Sequence, residues 1–233
     1  MDDEARAVAE RYARRGAAGD RYSLMRPEVW HTVQERQREL LQLLARQGRT
    51  DLAALRLAEV GCGSGDNLLE LLRLGFLPPH LHGLELLPER HAQARQVLPS
   101  AVALTLGDAT LAAIEPASLD LVLQATVFSS LLDDAFQQRL ASAMWRWLKP
   151  GGAVLWYDFT VDNPRNADVR GVPLARVRQL FPQGHVLHRR VTLAPPLARA
   201  VCRVHPSLYG AFNAVPWLRT HVLAWIGKPL VTR

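Results

Sequence analysis

The sequence predicts an α/β protein built on a doubly wound, mostly parallel seven-stranded sheet. Three observations carry this reading. Between about residues 56 and 181, short apolar runs alternate with amphipathic stretches of helical spacing, the signature of successive strand–helix units. Several of the apolar runs end in glycine or an acid, as buried parallel strands do where they face a ligand edge. The last two strand-like runs, 185–193 and 220–226, are separated by roughly 25 residues rich in Pro, Arg and aromatics, more than a hairpin connection needs.

The first unit holds Ala58-Glu59-Val60-Gly61-Cys62-Gly63-Ser64-Gly65-Asp66-Asn67, after an apolar run and before an amphipathic one at 68–74. It reads as strand, glycine turn and helix. Glycines there allow positive φ and close approach of a ligand, and the helix start offers unpaired N–H groups. A dinucleotide fingerprint needs glycine where Asp66 stands, and a phosphate loop of the Walker type needs a Lys-Ser or Lys-Thr that is absent. The acid-x-G-x-G-x-G pattern of Glu59, Gly61, Gly63 and Gly65 resembles motif I of the class I S-adenosylmethionine-dependent methyltransferases. The resemblance implies a Rossmann-like fold whose last strand is antiparallel, and a sulfonium amino-acid ligand, S-adenosylmethionine, with Cys62 and Asn67 beside it.

Ahead of this loop, helices are expected over 4–15 and 27–47, broken at 16–19, with Pro27 near the first turn of the second. Residues 1–50 form a helical lid in this reading and 51–233 the main domain, because the resembled enzymes close their site with such a segment. Tyr12, Arg15, Tyr22 and Arg26 are its candidate lid residues, Tyr22 also as a cofactor contact. Strands follow at 81–85, 102–106, 117–125 and 153–157, with helices at 66–74, 88–97, 134–148 and 173–181. Glu85 ends the second strand about 20 residues past the glycines, where a βαβ nucleoside site wants a carboxylate for the ribose hydroxyls. Leu86 lies next to it. Asp108 and Ala109, after the third strand, match the family positions that face the adenine, and Gln124 ends the fourth strand toward the transferred methyl. Gln124-Ala125-Thr126-Val127 lacks the Asn/Asp-Pro-Pro-aromatic cluster by which amino-methylating relatives grip a planar nitrogen. The Leu148-Lys149-Pro150-Gly151-Gly152 stop before the fifth strand is common in the same enzymes.

The net charge of +6 conceals an asymmetry: after Asp168 there is no Asp or Glu, against ten Arg and Lys. Such a tail suits an anionic partner. A small-molecule or glycan-type anionic acceptor is favoured over RNA, for which no appended binding module is visible. Tyr157, Asn163, Arg170, Arg189 and Arg190 are candidate acceptor contacts. Asp158, His185 and His188 are candidate bases for a hydroxyl acceptor. Residues 194–219 are expected to cap the substrate side, with peripheral contact at the inner face of a membrane as a second use. Two cysteines give no disulfide framework and no metal spacing, and the N-terminus shows no secretory signal, so a cytoplasmic protein is expected.

Overall fold

The structure, a computed structural model, describes residues 3–15, 22–164 and 166–230. Its sheet has seven strands: β1 (Leu57–Val60), β2 (Leu81–Glu85), β3 (Ala103–Leu106), β4 (Leu119–Ala125), β5 (Leu148–Phe159), β6 (His185–Leu193) and β7 (Arg219–Gly227). They stand in the order β3-β2-β1-β4-β5-β7-β6, and β7 alone runs antiparallel to its neighbours. The order reverses between β1 and β4, so the crevice of a doubly wound sheet opens above their carboxyl ends.

Helices cover both faces. Leu40 and Leu44 of α2 (Pro27–Arg46), Leu68 and Leu71 of α3 (Asp66–Leu74) and Ala94 of α4 (Pro88–Val97) share one core with Leu57 and Leu121. Ala5 and Val8 of α1 (Asp3–Arg15), much of α5 (Asp134–Trp147), and Val177 and Leu180 of α6 (Leu174–Leu180) pack with Val60 and Val122 on the other. Strand alternation assigns these sides, since successive side chains of β1 point to opposite faces. Local chemistry sets the ends: Pro27 opens α2, Gly75 closes α3 at φ 112°, and the Asp133 carboxylate caps α5 by accepting from Phe136 N at 2.6 Å.

One expected turn is different. Residues 149–152 belong to β5, whose pairing with β4 jumps from Leu119↔Leu148 to Leu121↔Ala153. Lys149 Nζ donates to both carboxylate oxygens of Asp120 at 2.9 Å, and Gly151 N donates to Lys228 O at 3.0 Å, so the stretch is a bulge clamped from both sides.

Residues 194–219 form α7 (Pro195–Val204), α8 (Leu208–Asn213) and a short turn, leaning on α2 and β6 around Leu193, Ala198, Val201, Cys202 and Tyr209. Glu35 of α2 holds them. Its buried carboxylate accepts from Thr192 N at 3.2 Å, Tyr209 Oη at 3.0 Å and Asn213 Nδ2 at 2.8 Å. No helix among the described residues is long and apolar enough to cross a membrane.

Candidate active site

The carboxyl ends of β1, β2 and β4, with α1 laid over them, enclose a cleft of about 760 Å³ counting its open mouth. Gly61, Glu85, Leu86, Asp108 and Ala109 line it, as does the turn after β4. Two glycines are needed for different reasons. At Gly61 (φ 65°) a Cβ would lie 2.6 Å from Val127 Cγ2, so the glycine lets the loop close on the β4 turn. At Gly63 (φ 58°) nothing is nearer to that Cβ position than Arg90 Nη1 at 3.9 Å, and the backbone is left bare.

Glu85 is fixed without being used up. One carboxylate oxygen accepts from Gly63 N at 2.7 Å and the other from Leu87 N at 2.8 Å, which leaves each oxygen a further lone pair. Asp108 takes both Thr110 donors, N and Oγ1, on Oδ1 at 2.8 Å, so Oδ2 can accept from a ligand. These acceptors fit the hydroxyls of a ribose and an exocyclic amine.

The remaining residues of the glycine segment lie behind it. Cys62 is buried against β2, and burial pushes its thiol up, which removes it from nucleophilic chemistry. Glu59 has no exposed surface. It accepts from Asn67 Nδ2 at 2.6 Å, Arg36 donates to Asn67 Oδ1 at 2.7 Å, and Glu59 Oε2 has no partner. Burial raises its pKa to about 8 against the opposing bond from Asn67. Glu59, Cys62 and Asn67 thus support the loop from beneath and do not line the cleft.

Gln124 is likewise turned inward. Fully buried, it accepts from Val127 N at 3.1 Å and donates to Tyr157 O at 3.5 Å. It therefore shapes the turn at Thr126, whose φ of 57° is costly for a β-branched residue. Asp158 does the same from β5. It has no exposed surface, and its carboxylate accepts from Ser129 N at 3.1 Å and from its neighbour Phe159 N at 3.0 Å. Burial lifts it to about pH 7 against those bonds. A group that a substrate cannot reach is not a general base, so the expected role of Asp158 is corrected to holding the turn.

The expected histidine bases are misplaced. His185 starts β6 opposite Gly227, at the amino edge of the sheet, and His188 is exposed on the outermost strand. Tyr22 is exposed and does not line the cleft; Arg26 pairs with Glu28 at 3.7 Å; the Arg15 side chain lies outside what is described. Of the lid residues Tyr12 lines the cleft, with the Arg90 guanidinium 4.6 Å from its ring centre and Ser130 Oγ 3.3 Å from its hydroxyl. The α1 helix is fastened there, since Glu4 Oε1 accepts from Leu132 N at 2.7 Å and from Arg11 at 2.6 Å.

Beside the cleft is a much tighter hollow, about 370 Å³ counting the open solvent at its mouth, between α2, α3 and the sheet, lined by Arg36, Leu123 and Tyr157 among others. Ala125 lines both spaces. Tyr157 bonds Thr192 Oγ1 at 2.9 Å, lies under Arg36 (5.4 Å) and stacks on His221 at 5.1 Å. Burial, helped by Arg36, lowers His221 to a pKa of about 4. Sequence reasoning missed Arg36 and His221; the only signal for His221 was its place at the start of the last strand.

The other expected acceptor contacts lie elsewhere. Arg189 pairs with Glu39 at 2.8 Å, Arg170 pairs with Asp134 while its N–H holds Ser129 O at 2.8 Å, Arg190 is exposed on β6, and Asn163 sits in an exposed loop. None of these four lines either space.

Residues 57–152 match the model of a methyltransferase domain family. The glycine loop, Glu85 and Asp108 fall within that match, as do strands β1 to β4. That stretch is therefore similar to a methyltransferase domain, and the chain as a whole shares the fold of solved S-adenosylmethionine-dependent methyltransferases. No curated protein matches the sequence. Among solved structures, the Burkholderia thailandensis 1,6-didemethyltoxoflavin-N1-methyltransferase is similar at TM-score 0.65 and 16% identity, over 98% of this chain and 91% of that one. A Thermotoga maritima SAM-dependent methyltransferase follows at 0.64 and 16%, over 95% and 99%. The [4+2]-cyclase SpnF shares the fold at 0.57 and 14%, over 82% and 81%, so the methyltransferase scaffold also appears under another chemistry's name.

Proposed function

We propose that this chain is a methyltransferase that binds S-adenosylmethionine in the α1-covered cleft and methylates an oxygen of a small anionic acceptor that enters beside Ala125. The observation that carries the reading is the shared wall: the ligand cleft and the Tyr157 hollow meet at Ala125, at the end of β4. Glu85 would hold the ribose hydroxyls, and Asp108 with Ala109 the adenine. The cofactor supplies an electrophilic methyl on a sulfonium, with a neutral thioether as leaving group. What this chain adds is alignment of the acceptor and, for a hydroxyl, removal of a proton.

His221 replaces Asp158 as our candidate base. It is partly exposed where Asp158 is not and stacks on Tyr157, which lines the hollow; burial and Arg36 keep it neutral above about pH 4 and make it a weak base, so it would act by accepting the hydrogen bond of an acceptor hydroxyl. A carboxylate acceptor needs no base, and Arg36 is the cation that would meet its charge. An acceptor carried on a glycan or a lipid fits the acid-free C-terminal region.

Thermal unfolding with S-adenosylmethionine and its demethylated product tests the first half. At a hundredfold excess over Kd, linkage predicts a rise of about 5–10 °C for a chain of this size. No shift with either ligand would overturn the reading; a shift with no methyl consumption across hydroxyl and carboxylate acceptors would leave a binding protein.

A further inference from the structure

The segment 210–217 is inside out. Its one polar side chain, Asn213, is buried, while Ala211, Phe212, Ala214, Val215 and Trp217 face solvent, Trp217 at 86% exposure. The inversion is enforced. Tyr209 and Asn213, one helical turn apart on α8, both donate to the buried Glu35 carboxylate, and His31 stacks on the Tyr209 ring at 4.9 Å. Turning Phe212 and Val215 inward would strip that carboxylate of two donors, which costs more than two apolar side chains return. The apolar side must therefore look outward.

The surroundings of this face are basic. On α7, Ala198, Val201 and Cys202 point in, leaving Arg199, Arg203 and Val204 exposed, and His205 follows. No acid occurs anywhere in 169–230. The nearest acids of α2 are committed: Glu35 is buried in the network above and Glu28 pairs with Arg26. At the adjoining start of α2, Leu24, Met25 and Trp30 are exposed as well. An outward apolar strip with a tryptophan, next to a helix that exposes Arg199 and Arg203 and within a segment that has no acid of its own, has the chemistry of a bilayer interface, where aromatic and aliphatic groups enter the headgroup layer and arginines meet lipid phosphates. Nucleic acid would satisfy the arginines but leave Val204, Val215 and Ala211 without a partner.

We propose that residues 195–217, with the start of α2, dock this protein on the surface of an anionic lipid bilayer. The insertion joins the carboxyl end of β6 to the start of β7, so it lies at the same sheet edge as the cleft. Docking would bring that edge to the membrane. The proposal stands independently of which acceptor is methylated.

Flotation of the whole chain with vesicles tests it. The parent is expected to float with phosphatidylcholine mixed with phosphatidylglycerol, to stay behind with phosphatidylcholine alone, and to be released by high salt. Phe212→Ser with Trp217→Ser should cut partitioning by about tenfold or more. Arg199→Gln with Arg203→Gln should cut it roughly fivefold per arginine. Both variants should unfold as cooperatively as the parent and keep its response to S-adenosylhomocysteine, which separates lost docking from lost folding. Failure of the parent to float with anionic vesicles would overturn the proposal. So would unchanged flotation of the Phe212/Trp217 variant, which would mark a general polyanion surface, and so would equal binding to neutral vesicles.

Discussion

The carboxylates at the end of β2 and just past β3 bond to backbone N–H groups and keep accepting capacity, whereas Arg170 and Arg189, beside β5 and on β6, are bonded to carboxylates. Glu85 on Gly63 and Leu87 and Asp108 on Thr110 are of the first kind. Arg189 on Glu39 and Arg170 on Asp134 are of the second. A carboxylate held by main chain stays ready for a ligand, while a paired arginine must give up its partner before it can bind anything. The cleft in the first half of the sheet therefore offers acceptors ready for a ligand, while Arg170 and Arg189 are committed within the fold.

Replacements can break this contrast, and their expected effects form a series. The largest comes from Gly61→Val, which drives a branched side chain into Val127 at a positive φ; it should abolish S-adenosylhomocysteine binding in calorimetry and lower stability by about 2–4 kcal/mol. Glu85→Gln is next. An amide offers one acceptor where two N–H groups now bond, so one donor is orphaned and the ribose loses its charged partner; affinity should fall by about 1–3 kcal/mol.

Asp158→Asn probes the buried carboxyl. Its folded pKa, near 7, lies above its unfolded value, so the folded state holds the proton more tightly. The associated stability is complete at acid pH and is lost as pH rises from about 4 to about 7, on the order of a few kcal/mol. Denaturant titrations from pH 4 to 8 should show that decline in the parent and a flatter profile in the variant, with Glu59 still contributing up to about pH 8. At the small end, Arg189→Gln removes a half-exposed ion pair and should cost less than about 1 kcal/mol, with ligand binding unchanged. A large loss of binding there would collapse the contrast between the two halves.

What could be read beforehand follows the same division. The bounds of β2, α3, α4 and β6 agree with expectation residue for residue, because Pro, Gly and the change of apolar period mark them. The cleft contacts Gly61, Glu85, Asp108 and Ala109 were legible because the spacing of a βαβ unit fixes which residue reaches the edge. Asp158 was misread because a strand end reveals the edge it reaches but not the face it points to, and the neighbouring Tyr157 took the face with the hollow. His185 was misread by its distance along β6, which places it at the opposite edge. Arg36 and His221 meet Tyr157 only through the packing of α2 and β7 on β5, a long-range arrangement that no local pattern records.

The bond from Gly63 N to Glu85 joins the loops after β1 and β2 before any ligand arrives. Such a loop has already surrendered its conformational freedom during folding, so little entropy is left to lose on binding. If the cofactor binds there as proposed, the pace of its exchange would fall to the helix fastened above: Glu4 and Arg11 would have to release Leu132 and Ser130 before a bound nucleoside could leave. On that reading the floor of the site would serve affinity and the roof would set the timing.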